Sequence, residues 1–235
     1  MPSITALIVG IEPVTPRSRL LTIDLRGRQL QFVAGQAVMV AASSLNEGRW
    51  YSIACSPDRA AETNCLELLI ALEIDGTLGP HLHDARVGSI VKLEGPLGTF
   101  TLPPSPPQRH LLFVAGGVGI APLRAMIDHT LGRRASARIA LLYSARRRDE
   151  FTFIQELRAH AHAGRIELHE TVTRDASWEG PRGRIARAHF EAVLHEPAST
   201  LCFVCGPPKL VTESVATLTA LTVPLELIRT EQWGV

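Results

Sequence analysis

The chain has 235 residues and a mass of 25.6 kDa, enough for two compact domains or one large one, since domains usually contain about 100 to 200 residues. Hydrophobic residues make up 46% and charged residues 20%, so the chain is able to bury a core, which excludes a disordered chain. The 24 basic and 23 acidic residues leave a formal net charge of +1, which argues against a general nucleic-acid or membrane-surface binder.

The basic residues are almost all arginines, because only Lys92 and Lys209 are lysines. Arginine presents a planar, permanently charged fork that suits phosphate recognition. The four cysteines lie in apolar surroundings, and no secretion signal is recognised at the start. The longest apolar run, 111–123, is interrupted by glycines and is shorter than the roughly 20 residues that cross a bilayer. We therefore expect a cytoplasmic protein without a membrane span.

The first hundred residues predict a small antiparallel β-barrel. Short segments of alternating apolar and polar residues are separated by turn residues, as is typical of barrel strands. One short helix is predicted at 78–85. The predicted strands are 4–11, 19–25, 30–41, 50–54, 66–72 and 90–93.

A proline-rich stretch at 103–108 predicts a linker, because prolines in this density do not fit a helix or a central strand. Beyond it strands alternate with helical segments, which predicts a parallel α/β sheet. We thus expect a barrel domain over 1–102 and an α/β domain over 109–235. The predicted strands are 110–115, 138–144, 165–172, 200–205 and 224–228, and the predicted helices are 122–131, 150–161 and 210–221.

A glycine-rich segment follows the first strand of the second half. An apolar strand runs into Gly116, Gly117 and Gly119 and then into a helix that starts near Pro122. Glycines let the backbone approach a phosphate, and the helix start offers free N–H groups. The segment predicts a phosphate-binding turn, although Pro122 stands where the usual dinucleotide fingerprint has a third glycine, and a plain tight turn is the alternative.

Two further segments carry groups suited to a redox cofactor. The run Arg49-Trp50-Tyr51-Ser52 lies on a predicted strand and offers a guanidinium, an aromatic ring and a hydroxyl. Cys205 ends the fourth strand of the second half and precedes Gly206, Pro207 and Pro208. A redox dithiol of Cys202 and Cys205 is disfavoured because both sit in a buried strand, and no residue set with metal-ligand spacing is recognised.

The order of these motifs resembles the ferredoxin-NADP reductase superfamily of flavin and nicotinamide oxidoreductases. Arg49-Trp50-Tyr51-Ser52 is similar to its R-x-Y-S flavin motif, preceded by the turn Gly35-Gln36, and 95–100 is similar to the strand that closes its flavin barrel. The segment 116–122 is similar to its pyridine-nucleotide loop, and 205–208 to its nicotinamide-side loop. The resemblance covers essentially the whole chain.

The resemblance implies a flavin held by the barrel and NADPH or NADH held by the α/β domain, with FAD favoured and FMN left open. Ser52, Cys205 and Glu231 are the implied catalytic residues, and Trp233 is either an aromatic shield of the flavin or a frayed terminal residue. The implied cofactor-binding residues are Arg49, Trp50, Tyr51, Ser52, Gly76, Thr77, Leu78, Gly79, Gly116, Gly117, Gly119, Ile120, Ala121, Pro122, Ser144, Arg146, Arg174, Cys205, Gly206, Pro207 and Trp233.

One segment departs from the family pattern G-x-x-S/T-x-x-L, which here reads 76–82 with Gly79 in place of the hydroxyl residue. Pro80 also removes an amide donor. Thr77, or the backbone of Gly79 and His81, is the candidate replacement, and His81 and His83 are expected on the surface. The 144–148 loop offers Ser144 and three arginines, which with Arg174 slightly favours the 2′-phosphate of NADPH.

The sequence thus predicts an enzyme that transfers hydride from NAD(P)H to bound FAD and passes electrons to a separate acceptor: a ferredoxin, a flavodoxin, an oxygenase component or a small molecule. Alternatives are an NAD(P)H:flavin reductase that releases reduced flavin, an electron-transfer subunit of a larger dehydrogenase, and a non-enzymatic flavin- or nucleotide-binding module. The oligomeric state is left open.

Overall fold

A computed structural model describes residues 3–45, 47–104, 106–133 and 137–233. Ser105 of the predicted linker, and the extreme ends of the two predicted domains, lie outside these ranges. The chain forms two compact units: the first contains the residues up to Leu102 together with Arg124–Gly132, and the second contains the remainder. Within the described ranges, no helix is both long and apolar enough to cross a membrane.

The first unit is an antiparallel six-stranded sheet that closes on itself. Its strands, numbered in chain order, lie in the order β4-β3-β6-β1-β2-β5. The two edge strands are joined by a bridge between Ile53 and Leu68, and by a hydrogen bond of 2.8 Å from the amide of Ala54 to the carbonyl of Glu67. The sheet is therefore a barrel, as predicted. The strands are β1 (Ser3–Thr15), β2 (Ser18–Asp24), β3 (Ala37–Ala42), β4 (Arg49–Ser52), β5 (Cys65–Ala71) and β6 (Ile90–Leu97).

The barrel interior is filled by inward-facing aliphatic side chains from every second strand position. An ion pair with a buried arginine lies on the opposite face of β5, since Glu67 alternates with the inward-facing Leu66 and Leu68. Arg124, only 2% exposed, donates to the carbonyl of Ala54 at 2.9 Å and pairs with the Glu67 carboxylate. The core aliphatic residues include Ile8, Leu21, Ile23, Val38, Val40, Leu66, Leu68, Ile70, Val91 and Leu93.

The second unit contains a five-stranded parallel sheet in the order β11-β10-β7-β8-β9. The strand order reverses between β7 and β10, and ligands of open α/β sheets bind at the carboxyl ends of the strands at such a point. The strands are β7 (His110–Gly116), β8 (Arg138–Ala145), β9 (Glu167–Val172), β10 (Thr200–Gly206) and β11 (Ile228–Gln232). The α-helices of the described residues are α1 (Pro57–Thr63), α2 (Ile120–Gly132), α3 (Ile154–His162), α4 (Arg187–Val193) and α5 (Pro208–Ala220).

Several predicted boundaries were wrong, each for a local reason. The helix expected at 78–85 is only a three-residue 3-10 turn, Pro80–Leu82, because the chain enters it through Gly79 with a φ of 86°. The last strand is displaced to β11 because Leu225–Leu227 forms another 3-10 turn. The third strand begins at Ala37 instead of residue 30. Helices α1 and α4 were missed, although Ser56, whose side chain accepts from the amide of Arg59, gives α1 a recognisable cap.

Candidate cofactor-binding sites

Strand β4 carries the predicted flavin motif and is held by β3, with Tyr51 opposite Val38 and Ser52 opposite Ala37. Arg49 is exposed and Ser52 is buried, whereas Trp50 and Tyr51 are half-buried. Arg49 forms an ion pair with Glu73 in which both side chains remain partly exposed to solvent. Since alternate residues of a strand share a face, the guanidinium of Arg49 and the ring of Tyr51 lie on the same side of β4.

The Tyr51 hydroxyl is anchored by a histidine. Its oxygen lies 2.7 Å from Nε2 of His81, and the two rings stack with centroids 5.6 Å apart and an interplanar angle of 26°. Burial raises the pKa of Tyr51 to about 12, with Arg49 lowering and Glu73 raising it. The prediction that His81 is a surface residue was wrong, because its side chain is 5% exposed. His83, by contrast, is exposed and contacts Asp84.

The backbone conformation and the crowding at Gly79 account for the departure of the 76–82 segment from the family pattern. Gly79 adopts a positive φ that disfavours any residue with a side chain. A Cβ there would lie 3.1 Å from Oε1 of Glu73 and 3.3 Å from the His81 ring, so a serine would be both strained and crowded. The Thr77 hydroxyl donates to Asp75 at 2.8 Å and accepts from the amide of Gly79 at 3.4 Å. Thr77 therefore shapes the turn itself.

The glycine-rich loop of the second unit lies at the carboxyl end of β7, where the strand order reverses. Gly117–Gly119 forms a 3-10 turn that runs directly into α2. Pro122 lies in the first turn of α2, as predicted. A Cβ on Gly119 would lie 2.6 Å from the carbonyl carbon of Cys205, so the loop packs backbone to backbone against the end of β10. Gly117 has a φ of 54° and open space where a Cβ would be, which leaves its backbone accessible to a ligand.

A tyrosine that sequence reasoning missed holds this loop in place. The Tyr143 hydroxyl donates to the carbonyl of Gly117 at 3.2 Å and accepts from the amide of Thr152 at 3.0 Å. The Tyr143 side chain is fully buried, and the ring of Phe151 packs edge-on against it with the ring centroids 4.9 Å apart. Burial raises the pKa of Tyr143. In the sequence Tyr143 is one apolar strand position among several, so no signal distinguishes it.

Cys205, Glu231 and Trp233 come together at the end of β10. Cys205 pairs with Glu231 across the sheet, and its sulfur lies 4.0 Å from Oε2 of Glu231. Burial, assisted by the Glu231 charge, raises the pKa of the Cys205 thiol well above its usual value. Trp233 donates from its indole nitrogen to Glu231 at 2.7 Å and from its amide to the carbonyl of Gly206 at 3.2 Å. These two bonds hold the Trp233 ring in place, so it is not frayed.

Two arginine-bearing loops follow β8 and β9. The amide of Arg174 donates to the carbonyl of Arg146 at 2.7 Å, which joins the two loops, and both side chains are exposed. Asp175 reinforces the junction by accepting from the amide of Arg148 at 3.2 Å and from the Ser177 hydroxyl at 2.6 Å. These donors, the Ser177 hydroxyl above all, lower the pKa of Asp175 to about 2. The sequence analysis missed Asp175.

Comparison with known proteins decides the family. Residues 6–102 match the model of an oxidoreductase FAD-binding domain, and residues 113–215 match that of an oxidoreductase NAD-binding domain. Ferredoxin--NADP reductase B of Sorangium cellulosum is 32% identical over 88% of this chain and 87% of its own length. The chain belongs to the ferredoxin-NADP reductase superfamily.

The lengths of other similar proteins differ. The reductase component of a Pseudomonas phenol 2-monooxygenase is 30% identical over 90% of this chain, which spans only 60% of that protein. A solved ferredoxin NADP⁺ reductase from Neisseria gonorrhoeae, with bound FAD and NADP, covers 99% of both chains with a TM-score of 0.84 and 22% identity, and supports the fold alone. The reductase is an NAD(P)H-dependent flavoprotein with an FAD-binding and an NAD-binding region.

The residues present fit both cofactors. The open space at Gly117, beside a helix start, suits the backbone binding of a pyrophosphate. On the barrel, the half-exposed guanidinium of Arg49 next to the anchored ring of Tyr51 matches an anion joined to a flat heterocycle. When bound, a flavin accepts a hydride from reduced nicotinamide and can release the electrons singly.

Proposed function

We propose that this reductase takes electrons from NADPH, holds FAD as its redox group, and delivers the electrons to a separate carrier protein of the ferredoxin or flavodoxin kind. In this proposal the flavin domain spans 1–102, the linker 103–108 and the nucleotide domain 109–235. The identity to a ferredoxin-NADP reductase, nearly end to end in both chains, favours this acceptor class over an oxygenase component. The four free cysteines support a reducing compartment, the cytoplasm.

On the flavin side, residues of β4 bind the flavin and orient its ring system. The Arg49 guanidinium pairs with flavin phosphate, which requires it to exchange its Glu73 partner. The half-buried ring of Tyr51 packs on the flat ring system. The buried hydroxyl of Ser52 donates a hydrogen bond to the reactive ring nitrogen. Trp50 and the 76–79 turn are the remaining proposed contacts of the flavin.

On the nucleotide side, the Gly116–Pro122 segment holds the pyrophosphate with backbone amides at the start of α2. Cys205, Gly206 and Pro207 form the wall beside the nicotinamide, and it is completed by Glu231 on β11 and by Trp233, which directly follows that strand. The neutral Cys205 thiol fills space and excludes water without competing as a nucleophile, since burial raises its pKa.

The hydrogen bond from Arg174 to the carbonyl of Arg146 is the observation that carries the choice of NADPH. It holds two exposed arginines on adjacent loops, next to Ser144 at the end of β8, where a 2′-phosphate needs forked donors. Replacing both with alanine should weaken NADPH binding about 100-fold, since each charge-assisted hydrogen bond contributes about 1.5 to 3 kcal/mol, and should leave NADH binding within about threefold. The control is Arg187→Ala, because Arg187 is also exposed and forms its ion pair with Glu191 on its own helix. Equal losses for the two nucleotides would remove the NADPH assignment.

Absorption spectroscopy tests the proposal directly. The purified protein should show a flavin spectrum that bleaches under anaerobic titration with NADPH at lower concentration than with NADH. The reduced protein should then reduce a ferredoxin or flavodoxin in stoichiometric amounts. A protein that neither takes up FAD nor bleaches would overturn the proposal.

The 76–82 segment favours one second candidate, an NAD(P)H:flavin reductase that releases reduced flavin. Gly79 supplies no hydroxyl and Pro80 no amide donor, so fewer donors face a pyrophosphate than in the family pattern. In that case free FMN would behave as a saturable second substrate in steady-state kinetics. Retention of flavin through gel filtration, with no dependence of the rate on added FMN, would exclude this candidate.

A further inference from the structure

The pair formed by Tyr51 and His81 has a property that the family motif does not explain. The side chain of His81 is 5% exposed, and its Nδ1 has no hydrogen-bond partner among the described residues. Its Nε2, in contrast, lies 2.7 Å from the Tyr51 hydroxyl oxygen. One ring nitrogen is therefore fully engaged and the other is buried without a partner, which restricts where the ring proton resides.

A proton on Nδ1 would leave a buried N–H donor unsatisfied, which is rarer and costlier in proteins than a buried acceptor without a partner. The ring therefore carries its proton on Nε2, and Nε2 donates to the Tyr51 oxygen. Burial, and the positive charge of Arg49, also lower the pKa of His81, which keeps the ring neutral. As an acceptor in this bond, the Tyr51 hydroxyl keeps its own proton.

We infer that His81 is a positioning residue for flavin binding: it fixes the ring of Tyr51 and directs the free O–H of Tyr51 to an acceptor atom of the bound flavin. This inference rests on the proposed function, since it requires that strand β4 holds the flavin. The stacked geometry, with centroids 5.6 Å apart, keeps the phenol from rotating away.

The same arrangement accounts for the loss of the family hydroxyl. The His81 ring occupies the space beside Gly79, where a Cβ would lie 3.4 Å from Nδ1. A residue with a side chain at position 79 would crowd the His81 ring, because the added Cβ would lie 3.3 Å from its Cε1. Position 79 therefore carries no hydroxyl, and the Tyr51 hydroxyl on β4, which belongs to the family motif, takes its direction from His81.

A double-mutant cycle tests this inference with FAD binding to the full chain as the readout, measured by calorimetry and by the visible spectrum of the bound flavin. His81→Leu and Tyr51→Phe should each weaken FAD binding about tenfold, the magnitude of one hydrogen bond in a buried site. In the Tyr51→Phe background, His81→Leu should have almost no further effect, because its partner oxygen is gone. His83→Leu, at the exposed neighbour, is the matched control.

A conservative variant covers the case in which His81→Leu fails to fold. The amide nitrogen of glutamine reaches the place of Nε2, so His81→Gln should retain FAD binding within about threefold and keep the wild-type flavin spectrum. Asparagine cannot reach it, and His81→Asn should behave like leucine. Equal weakening by His81→Leu with and without the Tyr51 hydroxyl, or loss in His81→Gln, would overturn the inference. A wild-type chain that bound no FAD would instead refute the proposed function, and this inference with it.

Discussion

The glycine loop after β7 and the 76–82 turn of the barrel, each proposed to contact a phosphate-bearing cofactor, are built by different means. The loop uses backbone: Gly119 packs against the carbonyl group of Cys205 and Gly117 leaves its backbone open. The turn has no hydroxyl at position 79, and the groups beside it are side chains, Tyr51 and His81, whose polar atoms lie 2.7 Å apart. A loop that offers its backbone to a ligand is encoded by a few glycines close together in sequence. A site built from side chains depends on partners that are distant in sequence.

The largest expected effect concerns the ionic side-chain network of the first unit. Arg124→Met should lower the free energy of unfolding by about 3 kcal/mol, because it leaves the largely buried Glu67 with a weaker partner set. Chemical denaturation of the two proteins measures the difference. The exposed pair of Arg187 and Glu191 gives the control, since Arg187→Met should change stability by less than about 0.5 kcal/mol. Equal effects would show that Arg124 is no more than a surface charge.

The next effect concerns the glycine loop after β7. Gly119→Ala should destabilise the protein by about 2 kcal/mol, because the added Cβ collides with main-chain atoms of Cys205 and Gly206 that cannot move aside. It should also weaken NADPH binding about tenfold by displacing the loop. Gly132→Ala places a Cβ in open space at the end of α2 and should be neutral. Comparable behaviour of the two variants would contradict a backbone-determined loop.

A smaller effect is expected where a side chain supports the glycine loop. Tyr143→Phe should lower the free energy of unfolding by about 1 to 2 kcal/mol, because the buried amide of Thr152 and the carbonyl of Gly117 each lose a hydrogen-bond partner. Thermal unfolding and NADPH titration follow the two consequences separately. A loss of stability without any loss of NADPH affinity would mean that the loop keeps its shape without Tyr143.

The smallest effect is a dependence of stability on pH that is seen only in acid. The pKa of Asp175 is about 2 in the folded protein, below the ordinary value of about 3.9. Its contribution to stability is therefore fully present above about pH 4 and is lost as the pH falls toward 2. Unfolding measured from pH 6 to pH 2 should show the gap between wild type and Asp175→Asn closing below pH 4. A gap of constant size would mean that the carboxylate is not stabilised by its donors.

The parts of the fold that could be predicted are those in which short-range pattern and long-range packing agree. Strand β7, the glycines and helix α2 follow directly from a buried apolar run, residues that permit close approach, and a proline suited to a first helical turn. The same holds for β4 with its flavin motif. The prediction of a helix at 78–85 was wrong because a positive φ at Gly79 interrupts the segment.

The candidate sites were predictable to the extent that their residues are contiguous. His81, Tyr143 and Asp175 gain their roles from partners 30, 26 and 27 residues away, and no local pattern encodes such distances. For His81 alone a hint existed, since it stands in the segment that departs from the family pattern. The roles of the other site residues stay predictions until the cofactors are bound and measured.

The placement of two cysteines on β10 has a practical consequence. Cys202 and Cys205 are separated by three positions, so they point to opposite faces of the sheet, and burial raises the pKa of both thiols. Burial and the nearby Asp24 and Glu67 raise the pKa of Cys65 too, but its thiol is only half-buried on β5, so alkylating reagents should modify it before the three buried cysteines. A fluorophore or spin probe attached there would report on the barrel.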